Sequence, residues 1–125
     1  MRKLHQVAVA TACAISAIML SGSVLAQEAG AKKAEPTGKE LAFERKKGNC
    51  LACHAMPTQP DAESAGLYGP PLIAMSARFP DKAKLRAQIW DATVANPSST
   101  MIPFGKHGVL SEKEIDKITD FVYGL

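Results

Sequence analysis

Cys50-Leu51-Ala52-Cys53-His54 places two thiols and an imidazole within five consecutive residues. No other feature of the chain restricts its fold and chemistry as tightly. C-x-x-C-H is the attachment signature of c-type haem. Each thiol adds to one vinyl group on the same edge of a porphyrin, and the two intervening residues bridge the gap between them. The next residue, His54, then falls under the iron and can ligate it. Two other chemistries use paired cysteines. A zinc site needs further Cys or His ligands, and past the N-terminal segment the chain offers only His54 and His107. A thioredoxin-like redox pair sits in a βαβ pattern, and no such pattern is visible. Cys50 and Cys53 are therefore read as covalent haem anchors, and His54 as an axial iron ligand.

The N-terminus decides which other residues count. Arg2, Lys3 and His5 precede an apolar run over residues 7–20, and Val24-Leu25-Ala26 is a small-residue cleavage pattern followed by polar sequence. That order predicts a secretory signal peptide over residues 1–26, cleaved on export. The run is short for a membrane span, so no anchor is expected after cleavage. Cys13 lies inside the run and is lost with it. Export suits haem attachment, which takes place outside the cytoplasm, and a periplasmic location is expected.

Cleavage leaves about 100 of the 125 residues, enough for one small domain. Domains of this size usually need a staple. Cys50 and Cys53 are too close in sequence to close a large disulfide loop, whereas a covalently held haem supplies a large apolar group to wrap. The whole chain carries 15 Lys and Arg against 12 Asp and Glu. Arg2 and Lys3 leave with the signal, so the mature domain is nearly neutral. Its charge gives no argument for nucleic-acid or membrane binding.

Residues 27–37 are small, polar and charged, and read as a flexible tail. The cytochrome domain is expected over residues 38–125. Residues 38–48 read as a short helix leading into the motif, with Phe43 and Cys50 on one face if that helix is continuous. Residues 55–80 are rich in Pro and Gly and read as loop, with at most one short helix near 72–78. Asp81 is an N-cap signal for a helix over 82–94, whose stripe is Leu85, Ile89 and Ala92, stopped by Asn96-Pro97. Ser111 and Glu114 form a capping box, with Leu110 and Ile115 as a hydrophobic staple. Ile115, Ile118, Val122 and Leu125 then recur at helical spacing. No run alternates as a strand, and no internal repeat is visible. The expected fold is all-α, a helical shell around one covalent haem.

A haem iron bearing one histidine takes a second axial ligand or stays open to small molecules. Met56 is two residues past His54 and reaches only about 7 Å, too little to pass round a porphyrin. Met75 follows Leu72 and Ile73, where methionine more often fills core gaps. Met101 lies in irregular sequence between two helices, stiffened by Pro103, and is the favoured ligand. His107 is its competitor, beside Lys106 and Gly108. Methionine there raises the reduction potential and a second histidine lowers it. The Pro70 carbonyl is the expected partner that fixes the His54 ring.

These motifs resemble those of class I cytochromes c. More narrowly, GKELAFERKKGNCLACHAMP (38–57), YGPPL (68–72) and KLRAQIWDATVANPSSTMIPFGKHGVLSEKEID (84–116) are similar to the X subunits of SoxAX cytochromes of the bacterial thiosulfate-oxidising system. The resemblance spans nearly all of residues 38–125. It implies haem attachment at Cys50 and Cys53, His54 as proximal ligand, and Met101 as distal ligand within an M-P-P-F-G pattern. Ile102 stands where that pattern usually has its first proline. It also implies a heterodimer with the A-type cytochrome subunit. That pair oxidatively joins thiosulfate to a cysteine of a carrier protein, with the X subunit accepting electrons, passing them to a downstream acceptor, and not catalytic alone. Two other readings stand beside it: a free diffusible class I cytochrome shuttling electrons, and an enzyme or sensor with five-coordinate haem.

Overall fold

The structure is a computed structural model that describes residues 34–125. The expected signal peptide, and residues 27–33 of the expected tail, lie outside the described residues. Within them the chain is helical and contains no strand: α1 (Gly38–Phe43), a 3-10 turn (Cys50–Ala52), α2 (Met75–Arg78), α3 (Lys82–Trp90) and α4 (Glu112–Tyr123). α4 packs against α1, α3 and α2.

α4 begins where S-x-x-E places it. The Ser111 hydroxyl accepts from the Glu114 amide at 3.3 Å, and the Glu114 carboxylate accepts from the Ser111 amide at 2.8 Å. Leu110, Ile115, Ile118 and Val122 are buried on one face. Thr119 is buried among them and donates its hydroxyl to the Ile115 carbonyl at 2.7 Å. Burying Ile115, Ile118 and Val122 contributes roughly 1.5–3 kcal/mol each. On the exposed face Arg86 pairs with Asp116 at 2.6 Å and with Glu112, and Lys82 pairs with Asp120. Exposed pairs contribute about 0–1 kcal/mol each, so the apolar face decides how α4 docks.

α1 also opens with a capping box. The Thr37 hydroxyl accepts from the Glu40 amide at 3.2 Å, and the Glu40 carboxylate accepts from the Thr37 amide at 2.7 Å. The helix ends at Phe43 and does not reach residue 48. Glu44 turns to extended backbone, Gly48 donates back to the Leu41 carbonyl at 3.0 Å, and Asn49 is left-handed at φ 46°. Phe43 and Cys50 therefore share no helix face. α1 crosses α4 closely at Gly38, where a Cβ would stand 2.0 Å from the Lys117 carbonyl oxygen. Phe43 meets Phe121 edge to face at 6.2 Å across the same crossing.

The segment just before α1 is tied down. Glu35 pairs with Lys113 at 2.7 Å and Lys117 at 3.1 Å, and Lys117 donates to the Pro36 carbonyl at 2.9 Å. α2 falls in the stretch expected for a short helix. α3 is capped by Asp81, whose carboxylate accepts from the Ala83 amide at 2.9 Å. It stops at Trp90, short of residue 94, because the Asp91 carboxylate takes the Thr93 amide at 3.0 Å and bends the chain out of the helix.

Glu114 also pairs with Lys47 at 2.8 Å, joining α4 to the turn before the motif. The Lys47 ammonium and then the Ser111 amide hold the Glu114 carboxyl at about 2, below the ordinary 4.5. Its folded value lies below its unfolded one, so its stabilisation is fully present above about pH 4.5 and is lost as pH falls toward 2. In urea unfolding followed by circular dichroism, Glu114→Gln should lower stability at pH 7. The gap from wild type should close as pH drops through that window. A gap of equal size at pH 7 and pH 2.5 contradicts this account.

Candidate functional site

The motif sits on a 3-10 turn entered through left-handed Asn49, and the His54 amide donates to the Cys50 carbonyl at 2.9 Å. A second segment is strapped across it by backbone bonds. Gly66 donates to Leu51 at 2.7 Å, Gly69 to Cys53 at 2.8 Å, and Leu72 to Ala55 at 2.8 Å. This strap carries Pro70 to His54: the carbonyl oxygen lies 2.7 Å from Nδ1. A carbonyl only accepts, so Nδ1 must carry the proton. In the neutral ring Nε2 then keeps its lone pair, which is the form that binds metal. The ring is also packed against Gly69, where a Cβ would come within 2.3 Å of Cε1. Glycine at 69 is thus required by the imidazole.

Beside this ring is a cavity of about 510 Å³, within the size range of roughly 300–1,000 Å³ usual for ligand and cofactor sites. Cys50, His54 and Met101 all lie on its wall, with Leu85 and Ile89 of α3 and Ile118 and Val122 of α4. Asn96 and Ser98–Thr100 add polar groups, and Arg78 is the one cationic side chain among the described residues on the wall.

Both cysteines are free thiols, Cys50 half-buried and Cys53 exposed. Burial pushes the Cys50 thiol up to about 11. A redox C-x-x-C does the opposite, holding its attacking thiol near about 7 or lower. Among the described residues, no group of three or more His, Cys, Asp or Glu side chains gathers as a metal site.

The four sequence candidates for a second axial ligand separate by position. Met101 is half-buried on the cavity wall. Met75 is on the wall too, but it is buried and its sulfur accepts from the Arg78 guanidinium at 3.3 Å. Met56 is buried in the core away from the wall, and His107 is exposed away from it. Sequence reasoning missed Arg78, whose only signal is its i+3 spacing from Met75. It also missed the contact of Gly69 with the His54 ring, which nothing short of coordinates reveals.

One thiol on the wall with a second three residues on, a lone-pair imidazole, a thioether, apolar side chains and one guanidinium fit a flat apolar macrocycle with an iron centre and carboxylate substituents. Comparison with known proteins bears on the fold. No protein-family model matches the chain. It is similar to an uncharacterized lipoprotein of Aquifex aeolicus, at 35% identity over 78 residues, covering 62% of this chain and 37% of that protein. The chain thus spans little more than a third of that relative. It is also similar to a chain of the crystal structure of SoxXA from P. pantotrophus, with TM-score 0.63 and 24% identity, covering 72% of this chain and 82% of that one. The fold is the all-α, class I cytochrome c-like fold that the sequence predicts.

Gly69→Ala should displace the His54 ring and break its bond to Pro70. Expressed with a haem-attachment system, this variant should yield at least tenfold less protein carrying covalent haem. Gly108→Ala, strained only by its φ of 65° with nothing within 4 Å of a new Cβ, should load normally. Equal loading of both variants contradicts the role given to Gly69.

Proposed function

We propose that the mature chain is an exported c-type cytochrome with one covalent haem, acting as the electron-accepting subunit of a SoxAX-type complex. The observation that carries the first half is His54: its Nδ1 is committed to the Pro70 carbonyl and its ring lies on the wall of the apolar cavity that also holds Cys50 and Met101. When bound, the haem supplies a one-electron ferric/ferrous couple.

The chain's own groups have distinct tasks. Cys50 and Cys53 would hold the haem covalently through their sulfurs. His54 Nε2 and Met101 Sδ would be the iron's ligands, and methionine as one of them would raise the reduction potential relative to a second histidine. The apolar side chains of the wall, Leu85, Ile89, Ile118 and Val122, would pack on the haem. Arg78 is suited to the haem carboxylates. Export is supported by the basic start, apolar run and cleavage pattern of residues 1–26, and by the likeness to a protein named as a lipoprotein. Among the described residues no helix is long and apolar enough to cross a membrane.

The second half rests on the motif resemblance and is supported by the likeness to a SoxXA chain. Joining thiosulfate to a cysteine makes one S–S bond and releases the thiol proton and two electrons. Outside the leader this chain has no cysteine beyond Cys50 and Cys53, so the reacting thiol belongs to a carrier protein. One haem takes one electron, and the other goes to the A-type partner or follows in a second transfer.

Haem should stay on the polypeptide through denaturation and acid-acetone extraction. The ferric protein should show the weak red charge-transfer band of methionine-ligated haem. Met101→Ala should abolish that band, while Met75→Ala and His107→Ala keep it. Loss on changing His107, with Met101→Ala silent, reassigns the ligand.

The purified chain alone should not conjugate thiosulfate. With its cytochrome partner and carrier protein it should become reduced as the conjugate forms, followed by stopped-flow absorbance and mass spectrometry. Conjugation at full rate without this chain, and no stable complex with the partner, makes it a diffusible electron shuttle instead.

A further inference from the structure

We propose that Asp91 is a positioning residue for Met101: its carboxylate, with the Trp90 carbonyl, pins together the two feet of the 91–106 loop and so fixes where the methionine sulfur sits. This rests on the reading of Met101 as an iron ligand.

The loop leaves α3 at Asp91 and returns at Lys106. Asp91 is 6% exposed yet uses both carboxylate oxygens. Oδ1 accepts from the Thr93 amide at 3.0 Å and from the Thr93 hydroxyl, which fixes the outgoing foot. Oδ2 takes the Lys106 ammonium at 2.8 Å, which fixes the returning foot. Next to it, the Trp90 carbonyl accepts from the Gly105 amide at 3.1 Å and the Lys106 amide at 3.3 Å. Gly105 is pressed on the Trp90 ring, where a Cβ would stand 2.1 Å from Cε3, and the Arg86 guanidinium lies 5.8 Å from that ring's centroid. The Lys106 ammonium first, and Thr93 next, hold the Asp91 carboxyl at about 2, so the clasp is charged across the neutral range.

Between its feet the loop bonds to itself. Asn96 donates to the Ala92 carbonyl at 3.0 Å, Ser99 to the Asn96 carbonyl at 2.9 Å, and Met101 to the Ser99 hydroxyl at 3.2 Å. These bonds shape the loop, and its returning arm is also held by Phe104, which is buried in the core and whose carbonyl accepts from the Val109 and Leu110 amides at 2.9 and 3.1 Å. A thioether is a neutral, weak donor, so its hold on a metal depends on being delivered to the right place, and an error on the order of 1 Å is enough to lose it. Phe104 holds the returning arm in the core, and the clasp sets where that arm meets the end of α3.

The test is titration of the ferric holoprotein with imidazole, which binds iron only when the methionine leaves. Asp91→Asn should raise imidazole affinity at least tenfold and weaken the red charge-transfer band, with haem still covalently attached. Lys106→Gln attacks the same ion pair from its exposed end and should act in the same direction if Asp91→Asn fails to load haem. Lys106→Arg should restore affinity to within twofold of wild type. A purely structural role for Asp91 would lower the unfolding midpoint and leave imidazole affinity unchanged. Imidazole affinities within twofold of wild type in Asp91→Asn, or in Lys106→Gln where Asp91→Asn does not load, overturn the inference alone. A wild-type protein with no methionine band overturns the ligation reading and this inference with it.

Discussion

The close crossing of α1 over α4 is the contact on which the rest of the structure depends. Gly38 lets the two backbones approach until a single Cβ would collide with the Lys117 carbonyl. From that crossing the chain has only six residues, 44–49, in which to turn and present Cys50. Near its far end the turn is fastened twice, by Gly48 to the Leu41 carbonyl and by Lys47 to Glu114 at the start of α4. The residue that caps α4 thus also holds the approach to the motif. Moving α1 along α4 would move the thiols with it.

Helices build the shell, but loops carry the chemistry. His54, Pro70 and Met101 all lie outside the helices. A loop is only as accurate as its attachments, and here each has a different kind. The Pro70 strap is held by a ladder of three backbone bonds to residues 51–55, each contributing about 0.5–1.5 kcal/mol net. It needs no particular side chain apart from the glycines that let it approach. The Met101 loop has no such ladder to the motif. It is held by the buried Phe104 and closed at its feet by a buried carboxylate and one carbonyl, so part of its accuracy depends on side-chain chemistry at Asp91 and Lys106. The histidine side of the cavity is fixed by backbone, and the methionine side by backbone bonds, core packing and an ion pair together.

This difference sets what could be read from sequence. Local signals transferred well: S-x-x-E gave the start of α4, Asp81 the start of α3, and the 3.6-residue pattern the buried face of α4. Helix ends did not. At residue 43 the pattern continued through charged residues that suit a helix, and what stopped it was a return bond from Gly48 to Leu41. At residue 90 the stop was written as Asp91-Ala92-Thr93, in which a carboxylate captures an amide two residues on. Such a pattern is legible, but the apolar spacing of Leu85, Ile89 and Ala92 outweighed it. Ala92 is buried as expected, reached by a turn instead of a helix. Gly38 and Gly69 could not be read at all. A glycine required by close approach looks like any other until the neighbour is placed, and here the neighbours lie 79 residues away in one case and across the strap in the other.

The proposed chemistry leaves little in the site for making or breaking substrate bonds. Under it both thiols would be taken up in holding the haem, the His54 ring, with Nδ1 on the Pro70 carbonyl, would offer Nε2 to the iron, and Met101 would offer its sulfur. Asp91 is spent on the loop, and Glu114 on the helix cap and Lys47. On that reading these particular groups hold the cofactor or the fold and are not available as acid, base or nucleophile. What such a site can still do is change the charge of the iron by one, inside walls that need not rearrange. An electron acceptor gains from that rigidity, because a ligand set that stays put in both oxidation states spends little energy on reorganisation at each transfer. If the proposed assignment holds, bond-forming chemistry would fall to a partner protein, and Cys53, the exposed one of the two cysteines, marks the side of the site open to such a partner.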